Sequence, residues 1–175
     1  MTLLVLERKF NPPLTSQDVV AMARDGAWCF RQYRVAWRGS LLAVDGCTMV
    51  CQFESGDAES IRQVLRILNA DMSVLWPATL HEVADPGDPN VIVERSFDDP
   101  CDLGELQAKE DSKRWCLETH NVSFVRTLFS LDRKRMLCLY AGPDAEAVRA
   151  AQREAGMPFD RVWSFQSLGL ADLAS

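Results

Sequence analysis

Apolar and polar residues alternate along this chain in two periods, and the periods predict the elements. Leu3 to Phe10 is a branched apolar run that turns charged at Glu7, Arg8 and Lys9 and stops at Asn11-Pro12-Pro13, which reads as a strand. Val19, Met22, Ala23, Gly26, Cys29, Phe30 and Tyr33 then fall at helical spacing. Thr15 or Ser16 can cap that helix, and Asp18 sits three residues after Thr15, close to a capping box. Val35–Val44 and Cys47–Phe53 read as strands on either side of Asp45-Gly46, a two-residue hairpin signal. A second helix follows the N-cap candidate Asp57, turning Ile61, Val64, Leu65 and Leu68 inward, and Asn69 suits a left-handed helix end. Ser73–Val83 supplies a last strand, which Pro77 makes an edge or broken one.

The same order then returns. Val5-Leu6-Glu7-Arg8-Lys9-Phe10 is echoed by Ile92-Val93-Glu94-Arg95-Ser96-Phe97, 87 residues on, and the offset holds without a gap. Trp28-Cys29 matches Trp115-Cys116, Cys51 matches Cys138, Asp57-Ala58-Glu59 matches Asp144-Ala145-Glu146, and Trp76 matches Trp163. The second pass predicts a helix over Asp102–His120, strands at Val122–Leu131 and Arg135–Tyr140, a helix after Asp144 ending at Gly156, and a strand at Arg161–Leu168. Without a glycine at 133, its hairpin is expected to be looser. An echo of this kind is the mark of an internal repeat. The expected layout is a first, more diverged repeat at 1–83, a linker at 84–90, a second repeat at 91–170 and a short tail at 171–175. Each repeat reads β-α-β-β-α-β, a ferredoxin-like unit with both helices on one face of an antiparallel sheet. The bare face needs a cover. The expected fold is therefore α+β, two tandem units with their sheets face to face as a pseudo-dimeric α+β barrel.

Composition narrows the function by exclusion. The 175 residues are 47% apolar and 25% charged, as in ordinary globular proteins. The net charge of −6 divides evenly, 8 basic against 11 acidic residues up to Asn90 and 11 against 14 after it. An acidic balance without a basic cluster argues against nucleic acid or an anionic membrane as partner. The apolar run Thr2–Leu6 is shorter than a secretory signal core, and no run approaches a membrane span. The six cysteines are accordingly expected to be reduced thiols in a cytoplasmic protein. Cys47 and Cys101 lack a counterpart at the repeat offset, which argues against a duplicated disulfide framework. Gly-rich phosphate loops, paired CxxC and HExxH are absent, so nothing indicates an organic cofactor.

Three stretches of the second repeat, Val93-Glu94-Arg95-Ser96-Phe97, Leu137-Cys138-Leu139-Tyr140-Ala141-Gly142-Pro143-Asp144 and Ala155-Gly156-Met157-Pro158-Phe159-Asp160-Arg161-Val162, resemble the DUF4242 family. Its best-described member is a small nickel-binding ferredoxin-like protein of actinobacteria. The resemblance runs over nearly the whole chain as two copies, the first carrying Asn69-Ala70-Asp71 in place of the Gly-x-Pro segment. Members typically have one copy and pair as homodimers, so the resemblance implies a bacterial dimer fused into one chain, with nickel or another divalent transition metal as ligand. A His-Ser-Tyr run that many relatives carry in the second strand is replaced here by Gly39-Ser40-Leu41 and Arg126-Thr127-Leu128.

Candidate chemistry gathers in the second repeat. Cys116 and His120 lie four apart on a predicted helix, hence on one face, where a thiolate and an imidazole can share a transition metal. Glu94 and Cys138 are the residues that would complete that site. The plainer reading makes Cys116 a core residue and His120 a helix cap favoured by the dipole. Cys29 and Tyr33 form the poorer pair of the first repeat. Neighbours on a strand point to opposite faces, so Glu94 and Arg95 separate, and a charge facing a packed layer needs a partner. As site residues, Glu94 is an acid, base or ligand, and Arg95 binds an anionic substrate. Trp115, Phe124 and Tyr140 are candidate pocket walls, although aromatics repeated at one offset, Trp28, Trp37, Trp76 and Trp163 among them, are more often core. Three functions of different class follow. They are a small-ligand or metal-binding protein, a cofactor-independent acid–base enzyme using His120, Glu94 and Tyr33, and an interaction subunit with further oligomerisation open to it. A single site is expected in the second half.

Overall fold

A computed structural model describes residues 1–72 and 74–174, so the predicted strand start at Ser73 and the tail end at Ser175 lie outside the described residues. The fold is mixed α+β, and contacts divide the chain into two units, 1–78 with 166–175, and 79–165.

In the first unit, β1 (Thr2–Lys9) leads to α1 (Ser16–Gln32), a hairpin of β2 (Ala36–Ala43) and β3 (Thr48–Ser55), α2 (Ala58–Ile67) and the start of β4 (Val74–Glu82). Antiparallel pairing gives the order β4-β1-β3-β2, with Leu6 opposite Cys51 and Leu75. The capping box forms as the sequence indicates. The Thr15 N–H donates to Asp18 Oδ2 at 2.7 Å, and the Asp18 N–H donates to Thr15 Oγ1 at 3.2 Å. Alternation along β1 turns Leu4 and Leu6 into a core shared with Val19, Cys29, Ile61 and Val64 of the two helices. Leu168 and Leu173, the latter in a 3-10 turn at Leu170–Ala174, pack on the same core, and Arg24 donates to the Leu173 carbonyl at 3.2 Å.

The second unit contains β5 (Val91–Ser96), α3 (Leu103–Ser112), α4 (Arg114–Thr119), β6 (Ser123–Ser130), β7 (Arg135–Ala141), α5 (Ala145–Glu154) and most of β8 (Arg161–Leu168). Its order is β8-β5-β7-β6, the same succession. Two expectations need correction. The helix predicted over Asp102–His120 is broken at Lys113, which leaves helical geometry at φ −116°, ψ 22°. Ser112 Oγ donates back to the Lys109 carbonyl at 2.7 Å, the local competition that disfavours serine inside helices. The second hairpin is also no looser than the first. Arg133 adopts φ 61° where Gly46 has φ 74°, and each N–H closes on the carbonyl three residues back, at 2.9 and 2.8 Å.

Aspartates at turns and caps make both units acid-sensitive. Asp18 is held below the usual carboxylate range by the Thr15 N–H and hydroxyl, Asp57 by the Ser60 N–H and hydroxyl, and Asp132 by the Ser130 hydroxyl and Lys134 N–H. A carboxyl whose pKa is lower folded than unfolded stabilises above its unfolded value, about 3.9, and loses that contribution as pH falls through the folded value. Thermal midpoints are therefore expected to hold from pH 7 to 5 and to drop below about pH 4. Asp57→Asn should flatten that drop in differential scanning calorimetry; an unchanged slope would remove Asp57 from the account.

Candidate functional site

Glu7 and Arg8, and equally Glu94 and Arg95, separate to opposite faces of their strands. On the face away from the helices each glutamate accepts an indole N–H at 2.8 Å, Glu7 from Trp76 and Glu94 from Trp163. Both indoles are buried, so each carboxylate satisfies a donor that would otherwise be stranded. On the helix-facing side the two arginines meet different surroundings.

Arg95 is 2% exposed and nearly saturated. Its Nη1 donates to the Pro158 carbonyl, and its Nη2 donates to Tyr140 OH at 3.1 Å and Gln152 Oε1 at 2.7 Å. Glu110, reaching in from α3, lies 3.7 Å from Nη2 and accepts the Tyr140 hydroxyl at 2.6 Å. Burial and the neighbouring Glu110 push the Tyr140 phenol well above its ordinary value, so it stays a donor. A void of about 20 Å³ remains against Arg95 itself, and a separate hollow of about 300 Å³ that Glu110 also lines does not include Arg95 in its walls.

Arg8 stands at the position 87 residues earlier, and the polar partners are gone. Phe53 replaces Tyr140, Leu65 replaces Gln152, Ala23 replaces Glu110, and Ala70 replaces Met157. The result is a cavity of about 380 Å³ between α1, the end of α2 and the sheet. Its walls include Phe30, Phe53, Leu65, Leu68, Met49 and Trp37, with Arg8, Ser40 and Cys51 as the polar lining and Asp25 and Asn69 toward the outside. The Trp37 indole donates to Ser40 Oγ at 3.1 Å, and Ser40 Oγ–H donates to the Cys51 sulfur, also at 3.1 Å. Burial pushes the Cys51 thiol up, against weaker opposing effects from Ser40 and Arg8. Burial thus disfavours the thiolate, the nucleophilic form of the side chain.

The residues singled out in the second half do not gather around one point. Cys116 is buried among Ala155, Met157 and Leu106, its thiol pushed up by burial. His120 caps α4, and its Nε2 lies 2.8 Å from Glu154 Oε2. Cys138 shares a hydrogen bond with Thr127 Oγ1 at 3.2 Å beside Arg95, while Glu94 faces the other side of the sheet with Trp163 and Arg161. Among the described residues no three His, Cys, Asp or Glu side chains converge as a metal site. Cys116, His120, Glu94 and Cys138 therefore do not fit a nickel centre as arranged. Of the other candidate trio, Tyr33 caps α1 in the first unit, while His120 and Glu94 belong to the second. Phe124 and Tyr140 do meet, edge to face at 5.6 Å, but as packing around Arg95. Trp115 is 53% exposed and Trp28 51%, so these two are neither walls nor core. The first-unit cavity is not legible in the sequence, because Phe53, Leu65 and Ala23 look like ordinary core residues. The available signal is an arginine retained while the counterparts of Tyr140, Gln152 and Glu110 are apolar.

A family model described as nickel-responsive protein SCO4226-like matches residues 92–164. No curated protein matches the chain. Among solved structures, SCO4226 from Streptomyces coelicolor A3(2) is 20% identical, covering 42% of this chain and 90% of its own, with a TM-score of 0.38. A putative chlorite dismutase, TA0507, is 10% identical over 99% of this chain and 96% of its own, with a TM-score of 0.53. A mutant chlorite dismutase from Candidatus Nitrospira defluvii is 11% identical over 98% and 92%, with a TM-score of 0.54. At these identities the last two matches speak for the fold alone, and they span it from end to end.

Proposed function

We propose that the chain is a duplicated ferredoxin-like protein whose first copy binds a small, mainly apolar molecule. The cavity of about 380 Å³ carries this reading, because its counterpart in the second unit is filled to about 20 Å³ by the Arg95 cluster. Small-molecule sites commonly measure about 300–1,000 Å³, and an engineered apolar cavity of about 150 Å³ already takes up benzene. Binding is favoured over catalysis because the inner lining offers one cation, a hydroxyl and a protonated thiol, while its one carboxylate, Asp25, sits exposed toward the mouth.

Calorimetric titration with 1-naphthamide tests it. One-site binding is expected, weakened at least tenfold in Ala70→Met, which installs the methionine found at position 157. No binding, or binding indifferent to Ala70→Met, would count against the cavity. Nickel is the second reading, favoured by the family match over 92–164. His120 beside Glu154 is the donor pair that would carry it. With no third donor converging among the described residues, nickel retained after gel filtration is expected to be substoichiometric by elemental analysis. Stoichiometric nickel, lost in His120→Ala, would shift the assignment to the metal.

A further inference from the structure

The cavity of the first unit is lined by one guanidinium, that of Arg8, with the exposed Asp25 toward its mouth. The Arg8 guanidinium carbon lies 4.7 Å above the centre of the Phe10 ring, a stacking that holds the fork flat and leaves its edge free to donate. Among the described residues no acidic side chain pairs with it, and its Nε is buried without an acceptor. Arg95 also has an unpaired Nε, so the difference lies at the terminal nitrogens. In the second unit those are taken by Pro158, Tyr140 and Gln152, with the Glu110 carboxylate beside them. In the first unit the four positions are Asp71, Phe53, Leu65 and Ala23, of which the last three bring no acceptor side chain and Asp71 is exposed.

We infer that Arg8 anchors the carboxylate of the ligand, so that the cavity selects monocarboxylates with an aromatic or branched apolar body. This rests on the cavity being a ligand site. Glu110 shows what the position accepts, since its carboxylate fills in the second unit the space that Ala23 leaves open in the first. A ligand carboxylate stands in for that missing side chain, and its apolar body lies against Phe30, Phe53 and Leu68. Arginine and carboxylate bond in a planar, bidentate way, and a cation in an apolar wall strengthens the preference for an anion.

The test compares 1-naphthoate with the neutral 1-naphthamide by titration calorimetry, on the full chain. Naphthoate is expected to bind at least tenfold more tightly. Arg8→Met should abolish that preference while still binding the amide, and Ala23→Glu should abolish naphthoate binding by supplying an internal carboxylate. Circular dichroism and thermal melts establish that both variants are folded; if Arg8→Met is not, Ala23→Glu decides. Equal affinity for the two ligands, or naphthoate binding untouched by Ala23→Glu, overturns the anchor and leaves the cavity reading intact. Failure of both ligands to bind overturns the two together.

Discussion

Glu110→Ala is expected to destabilise the protein by about 3–5 kcal/mol, because it strips a carboxylate from a buried cluster and leaves a cation behind. Arg95 keeps Tyr140, Gln152 and the Pro158 carbonyl, all neutral, while Tyr140 loses its 2.6 Å acceptor. Urea unfolding followed by circular dichroism measures the loss, and a change below about 1 kcal/mol would mean that the ion pair contributes no more than a surface contact. The sharper form of the experiment adds Tyr140→Phe and Gln152→Leu. Those three replacements give Arg95 the side chains that Arg8 already tolerates, so the triple variant is expected to cost less than the sum of its parts. Neighbours sharing one network couple by about 0.5–3 kcal/mol, which sets the size of the shortfall.

Gly46→Ala comes next in expected effect, at about 2–5 kcal/mol. Gly46 has φ 74°, and a Cβ there would stand 2.3 Å from the backbone carbonyl oxygen of Leu14, with Pro13 and the Leu14 amide also inside contact. A flexible side chain can swing away from such a clash, whereas this segment is fixed by the Leu14 N–H bond to the Gly46 carbonyl at 2.9 Å. Arg133→Ala makes the control. It occupies the same left-handed turn position in the other hairpin, already carries a Cβ, and should change the thermal midpoint little. A Gly46→Ala midpoint close to the parent's would show that the Leu14 segment yields.

Local chemistry was the most legible part of this chain. Thr15 and Asp18, Asp57 and Asp144 act on partners three residues along the chain, so their caps could be read from spacing. Asn69 and Gly156 likewise take the positive φ that a helix end asks for. The break at Lys113 was hidden because the periodicity runs through it, and its one local companion is the bond from the Ser112 hydroxyl to the Lys109 carbonyl. The site was hidden for a different reason. Cys116 and His120 stand out in the sequence because their side chains are reactive, whereas the space that distinguishes the two units arises from Ala23, Leu65 and Phe53, whose side chains are not. A cavity is made by subtraction, and subtraction shows only when one unit is set against the other. The exposed Trp28 and Trp115 mark the same limit, since repetition at a fixed offset fixes an equivalent place and not its depth.

The composition of the first unit bears on how the chain acquires its structure during synthesis. Residues 1–78 are joined there by 166–175, with Leu168 in the core, the half-buried Leu173 packed against it, and the Leu168 carbonyl 2.9 Å from where a Cβ on Gly39 would stand. A nascent chain therefore cannot finish its first unit when that stretch leaves the ribosome; it must wait until the whole of the second has followed. Vectorial, unit-by-unit folding is the ordinary course for multidomain chains. Here the apolar wall around Leu4 and Val19 stays unfinished in the meantime, exposed to chaperones and to other nascent chains. The unit begun first is the one completed last.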